Sequence, residues 1–293
     1  MKINLRTDKY LRKLIWISNL YGPPNYLSIG LKQYPMFFGK NFYLGAKIYR
    51  MLFEEQYTDN GDKENIIREI LNKKISTQMG KQIVMNLEDL DIPIELNDDD
   101  KLFTDTANNL SLWFNENFDN ANSLVKNVFG FPLPEEITLI LAENLDTEMS
   151  VTGGLILDKD PVLIGYSRSF HDLENTYLPG IILHEMLHAI IGSNSLINRK
   201  TAKSRFFEEA LLDYFCSYGI ISEKLCLIKK ASIDEYHRIN VKNRPYTSNI
   251  SNMLLPMIQN YYKNFENNTV WEYLDKNKFS DLINLAALDK LSL

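Results

Sequence analysis

Two histidines four positions apart in an almost wholly apolar string, I-I-L-H-E-M-L-H-A-I over residues 181–190, constrain this chain more than any other feature. On a helix, positions i and i+4 share a face with Cβ atoms about 5–6 Å apart. His184 and His188 can therefore reach a single Zn²⁺, which takes imidazole nitrogen at roughly 2.0–2.1 Å. Glu185 is rotated from His184, so it can touch a water at the metal without occupying a metal position. The competing reading of the same string is a buried helix with two satisfied core histidines.

The rest of the chain bounds what such a site can serve. Its 293 residues, 45% hydrophobic and 24% charged, are ordinary globular composition and long enough to bury a real core. A net charge of −6 with scattered basic residues argues against nucleic acid as a partner. The apolar run Leu14 to Tyr21 is short, interrupted by Ser18 and Asn19, and follows a charged stretch. It reads as an amphipathic helix ending at Gly22-Pro23-Pro24 rather than as a signal peptide. No run approaches the roughly 20 apolar residues of a membrane span, and a cytoplasmic protein without a membrane partner is the expectation. Cys216 and Cys226 form neither a disulfide framework nor a cysteine zinc pattern, and Cys216 reads as a buried, inert thiol.

Periodicity divides the chain. Residues 1 to about 75 read as helices around an aromatic Gly/Pro-marked stretch, with helical spacing in Leu44 to Gln56 and Lys63 to Lys74. Asn86 to Asp100, with three consecutive aspartates, reads as a solvated loop, and Leu102 to Val128 as a long helix. Glu136 to Ala142, Val151 to Leu157 and Pro161 to Ser167 read as strands, the last two as a hairpin. Helix resumes near Tyr177, with Pro179 in its first turn and Gly192 as its stop. Almost everything beyond Arg205 reads as helix. The expectation is an α+β chain: a mainly helical region over residues 1–130, then residues 131–293 carrying a small sheet, the motif helix packed on it, and C-terminal helices.

A catalytic zinc site needs a third protein ligand. The third histidine of the extended H-E-x-x-H-x-x-G-x-x-H motif is absent, because positions 191 and 194 are Ile and Asn. About twenty residues past His188 comes F-F-E-E-A-L-L-D-Y-F over 206–215, in which Glu209 and Asp213 are four apart and share a face. Glu209 can ligate zinc while Asp213 accepts the outer N–H of a ligand histidine. Glu208 is a rival ligand one position away.

H-E-M-L-H followed by E-A-L-L-D resembles the gluzincin zinc metallopeptidases, the thermolysin-like zincins whose second motif runs Glu-Ala/Gly-x-x-Asp. The likeness covers about residues 136–215. It implies a zincin-like catalytic core with one Zn²⁺ per chain, held by His184, His188 and Glu209. It also implies Asp213 behind a ligand histidine and Glu185 as general base in the hydrolysis of a peptide or protein substrate. In that family a Tyr or His downstream of the third ligand often steadies the oxyanion. Tyr246, after Arg244-Pro245, and His237 are the candidates here, while His171 reads as an exposed loop residue. A peptide would lie along a sheet edge supplied by Val151 to Leu157 or Pro161 to Arg168. No aminopeptidase-type Gly-x-Met-x-Asn appears, which favours endopeptidase action. The alternatives are a regulatory protease specific for one protein partner, whose helical first region selects it, and an inactive zincin-fold module that binds protein.

Overall fold

The first five strand-forming residues alternate, Lys2-Ile3-Asn4-Leu5-Arg6, and they form β1 (Lys2–Arg6) rather than part of a helix. The reading of residues 1 to about 75 as helices is corrected at these five positions. Period-two alternation suits a strand with one covered face, and β1 pairs in parallel with a strand more than a hundred residues away. The computed structural model describes residues 1–6, 8–21, 39–53, 60–92, 101–142, 154–157, 162–167, 178–194, 196–197, 202–263 and 268–276. The aspartates at 98–100, His171 and residues 151–153 lie outside the described residues.

The elements after β1 are α1 (Lys9–Tyr21), α2 (Lys40–Phe53), α3 (Asn60–Leu71), α4 (Gln78–Asp89) and α5 (Lys101–Phe129). Three strands follow: β2 (Glu136–Ala142), β3 (Gly154–Leu157) and β4 (Val162–Ser167). The remainder is helical: α6 (Leu178–Ser193), α7 (Ala202–Asp213), α8 (Ile220–Lys224), α9 (Ile233–Asn243), a 3-10 turn (Pro245–Thr247), α10 (Ser248–Lys263) and α11 (Val270–Lys276). The chain is thus mostly helical with one small sheet, α+β in the coarse sense. None of the described helices is long and apolar enough to cross a membrane.

Two compact units interleave along the chain. One comprises Lys2–Asn109 and Glu136–Leu173, and the other Leu110–Glu135 and Glu174–Leu293. The division expected between 130 and 131 groups the strands with the motif helix; in this partition they fall with the N-terminal helices.

In the first unit the sheet order is β1-β2-β4-β3, with β1, β2 and β4 parallel and β3 antiparallel to β4 as a hairpin requires. Because β4 lies between β2 and β3, it offers no free edge, and the expectation that Pro161 to Arg168 supplies one is corrected. β3 is the edge strand on that side, with a register irregularity between Leu155 and Leu157. The core gathers around α1: Leu11, Leu14, Trp16 and Ile17 bury with Ile48 and Leu52 of α2, Ile67 of α3, Ile83 and Leu87 of α4, Ile140 of β2 and Leu163 of β4. Lys13 projects from α1 to donate to the Leu87 and Leu90 carbonyls at 2.7 and 2.6 Å. A cation there satisfies the orphan carbonyls and opposes the negative end of the α4 dipole.

In the second unit every residue of α6 from Leu178 to Ile191 is buried, as its apolar circumference demands. α7 packs against α6 and α10. Its C-terminal end turns sharply, with Ser217 at φ 56° and Ile220 N donating to Tyr214 O at 3.1 Å. Gly219 makes this turn feasible, since a Cβ there would sit 2.4 Å from the Tyr214 carbonyl. Phe129, Phe215 and Tyr261 stack edge to face beneath it, with centroids 5.2 and 5.8 Å apart. Cys216 is buried, as its apolar setting suggests, whereas Cys226 is exposed.

Ile140 is fully buried where β2 meets the helical core. Ile140→Ala is expected to cost about 2–5 kcal/mol, read as a lower urea midpoint with unchanged far-UV circular dichroism in the absence of urea.

Candidate metal centre

One turn of α6 places the His184 and His188 rings with centroids 4.8 Å apart and planes at 74°. Their Nε2 atoms come within 3.1 Å of each other. From α7, Glu209 turns its carboxylate to this pair: Oε2 lies 3.2 Å from His184 Nε2, and Oε1 lies 3.2 Å from His188 Nε2. His184, His188 and Glu209 thus form a group whose donor atoms can hold one metal ion.

The opposite nitrogens face other carboxylates. Glu208 Oε1 lies 2.6 Å from His188 Nδ1, and Asp213 Oδ1 lies 3.7 Å from His184 Nδ1. Successive helix positions are about 100° apart, so neighbouring Glu208 and Glu209 reach opposite sides of His188. This geometry separates their roles: Glu209 joins the convergent donors and Glu208 stands behind the ring. A carboxylate at Nδ1 keeps that proton in place and frees the Nε2 lone pair for a metal.

Three observations test whether the residues suit a divalent ion. Tetrahedral donors around zinc stand about 3.4 Å apart, close to the 3.1–3.2 Å separations here. Buried His184 Nδ1 has no hydrogen-bond partner, and the Asp213 carboxylate is the acceptor 3.7 Å away toward which a small shift of the ring would bring it. Charge is the third. Glu208 and Asp213 are buried, and with Glu209 they place three carboxyl groups around two imidazoles against the Arg244 guanidinium. Among the described residues this leaves a deficit that a dication neutralises, before Glu185 is counted. The donor set of two imidazoles and a carboxylate suits zinc.

Burial governs the titration behaviour of the group. Burial pushes the Asp213 carboxyl well above its ordinary value and also raises Glu185. Burial, then the Arg244 and His188 charges, hold His184 well below the ordinary imidazole range. His184 is therefore held in the neutral form a metal ligand needs. Glu185, 6% exposed and next to His184, lies within electrostatic reach of His188, Arg244 and Glu208.

In the sequence Arg244 stands out only as the residue that, with Pro245, precedes Tyr246. In the structure its Nη1 bonds Glu209 Oε2, and its Nε lies 3.6 Å from Asp213 Oδ2. Its backbone is held at the end of α9, where Arg244 N donates to Asn240 O at 2.8 Å and Thr247 Oγ1 donates to Arg244 O at 2.9 Å. Asn240 Nδ2 in turn donates to Asp213 O at 3.0 Å, tying α9 to α7. Tyr246 lies on the 3-10 turn, 36% exposed, with its ring 5.5 Å from that of Phe206. His237 Nδ1 faces Tyr214 Oη at 2.7 Å and its Nε2 faces Asn252 Oδ1 at 3.0 Å, so this imidazole joins α7, α9 and α10. The sequence signal that marks Arg244 is its position just before a helix-breaking proline, which ends α9 at this residue.

Two outcomes follow. Glu208→Gln is expected to retain the site but weaken zinc affinity about 10–100-fold, measured by competition with a chromogenic chelator. The folded carboxyl of Glu185 titrates above its ordinary 4.5, so the fold favours the protonated form and loses that stability as pH rises through the raised value. Metal-free Glu185→Gln should therefore gain on metal-free wild type as pH rises above 4.5, read as a difference in thermal midpoint that widens with pH. A difference constant with pH contradicts this.

Compared with protein-family models, curated proteins and solved structures, the chain matches none, and the site is read from its own residues.

Proposed function

We propose that the protein is a zinc-dependent hydrolase of peptide bonds, with a zincin-like site of the gluzincin kind. The observation that carries this reading is the convergence of His184 Nε2, His188 Nε2 and the Glu209 carboxylate, with a second glutamate adjacent on the motif helix. His184, His188 and Glu209 are the residues that hold the ion, and Asp213 and Glu208 orient the two rings from behind. Zinc held there supplies a Lewis acid that activates both a water molecule and the scissile carbonyl.

The remaining work falls to side chains. Glu185, ionised, takes a proton from the attacking water and carries it to the leaving amine, the transfer that makes the amine a competent leaving group. Burial helps here: a carboxylate whose pKa is raised toward neutrality is a better base than an exposed one. Tyr246 remains the proposed donor to the developing oxyanion, from the loop that also carries Arg244.

The test is zinc per chain in protein purified without chelator, together with cleavage of a mixed fluorogenic peptide pool. Wild type and Glu185→Gln should each hold about one zinc, because the base is not a ligand. Cleavage should fall about 10²-fold or more in Glu185→Gln. His184→Ala, His188→Ala and Glu209→Ala should lose the metal. A wild type that binds no zinc overturns the site; zinc without cleavage of any peptide overturns the hydrolase and leaves a binding protein.

A further inference from the structure

The side chain on the third donor is the least expected part of the site. Glu209 is 27% exposed, against 4% for Asp213 and 2% for Glu208, so packing restrains it least of the three carboxylates. Its two oxygens stand equally near the imidazole pair, each 3.2 Å from one Nε2. Left alone, such a carboxylate can chelate through both oxygens. With two imidazoles that makes four donors, the number a tetrahedral zinc accepts, and no position remains for water.

Arg244 breaks this symmetry. Its Nη1 engages Oε2 and leaves Oε1 unengaged by the guanidinium, while Nε leans toward Asp213. A guanidinium draws electron density from the oxygen it binds and disfavours that oxygen as a ligand. It also places a fixed positive charge beside the position of a dication, which repels it. The guanidinium is planar, and its approach is set by the hydrogen-bonded end of α9 and the 3-10 turn, so the bias is built in.

We propose that Arg244 is a positioning residue that restricts Glu209 to one donor oxygen and weakens the hold on the ion, thereby keeping a coordination position open. The inference rests on the metal-site reading above. Arg244 trades metal affinity for an accessible ion, a trade that separates a catalytic site from a closed structural one.

The experiment compares wild type, Arg244→Met and Arg244→Lys, using Zn²⁺ and Co²⁺ alone as probes. Zinc dissociation constants come from chelator competition, and coordination from the visible absorption of the Co²⁺-loaded protein. Arg244→Met is expected to bind zinc about tenfold more tightly or better. Its Co²⁺ spectrum should shift from that of wild type as the second Glu209 oxygen takes the coordination position that water would otherwise fill. Arg244→Lys keeps the charge without the fork, so its zinc affinity should stay within about threefold of wild type while the cobalt spectrum shifts part of the way. Peptide cleavage should fall in Arg244→Met despite the tighter metal. Weaker or unchanged zinc binding in a folded Arg244→Met, with a wild-type cobalt spectrum, overturns the proposal. If Arg244→Met does not fold, an unshifted cobalt spectrum in Arg244→Lys overturns it instead. A wild type that binds neither ion overturns the metal-site reading itself.

Discussion

Shortage of positive charge at the buried meeting of α6 and α7 is the constraint on which the rest of the site depends. His184, His188, Glu208 and Asp213 are all removed from water, and Glu209 closes the group from the side nearer solvent. Burial, the largest cause in each case, pushes Glu185 and Asp213 toward protonation and, with the Arg244 and His188 charges, His184 toward neutrality. Such a cluster is costly unless a cation offsets it, and Arg244 offsets it only in part. A divalent ion between the Nε2 atoms would reverse the balance, making ionised carboxylates and neutral imidazoles the favoured states. The features that make this arrangement unfavourable as a packed core suit it to holding a metal.

The helices that follow α7 hold it against α6. Three positions of one helix do three jobs: 208 behind one ring, 209 among the donors and 213 behind the other ring. A rotation of α7 by one residue would exchange the two glutamates and bring the wrong one inward. That rotation is opposed from several directions. Tyr214 Oη donates to Ser251 O at 2.9 Å, Asn240 binds the Asp213 carbonyl, and the turn at Gly219 is sealed by Tyr262. The C-terminal helices are remote from the motif in sequence, yet they hold α7 so that Glu209 is the carboxylate facing the two Nε2 atoms.

The fold was only partly legible in the residue pattern. Long helices declared themselves: α5 because a helix that must bury a face repeats its apolar residues every three or four positions, and α6 through the proline in its first turn and the glycine near its end. The hairpin of β3 and β4 was readable from two apolar runs separated by a polar turn. β1 was hidden because five residues ahead of a helix make a weak signal. Its partner is Glu136–Ile140, and no local rule reports a pairing across such a separation. The same non-local pairing groups the strands with the N-terminal helices.

At the site, H-E-M-L-H determined by itself that two imidazoles and a glutamate would share a helix, since helical spacing is a local property. The four-residue interval from Glu209 to Asp213 likewise determined that these carboxylates would share a face. What spacing could not decide was which of two adjacent glutamates turns inward, because that depends on the rotation of α7 about its axis. Nor could it place the Arg244 guanidinium on Glu209 and Asp213, a contact between a helix end and a side chain thirty-five residues away. Those two facts, which settle the donors' charge and geometry, arise only from the packing of α7 among α6, α9 and α10.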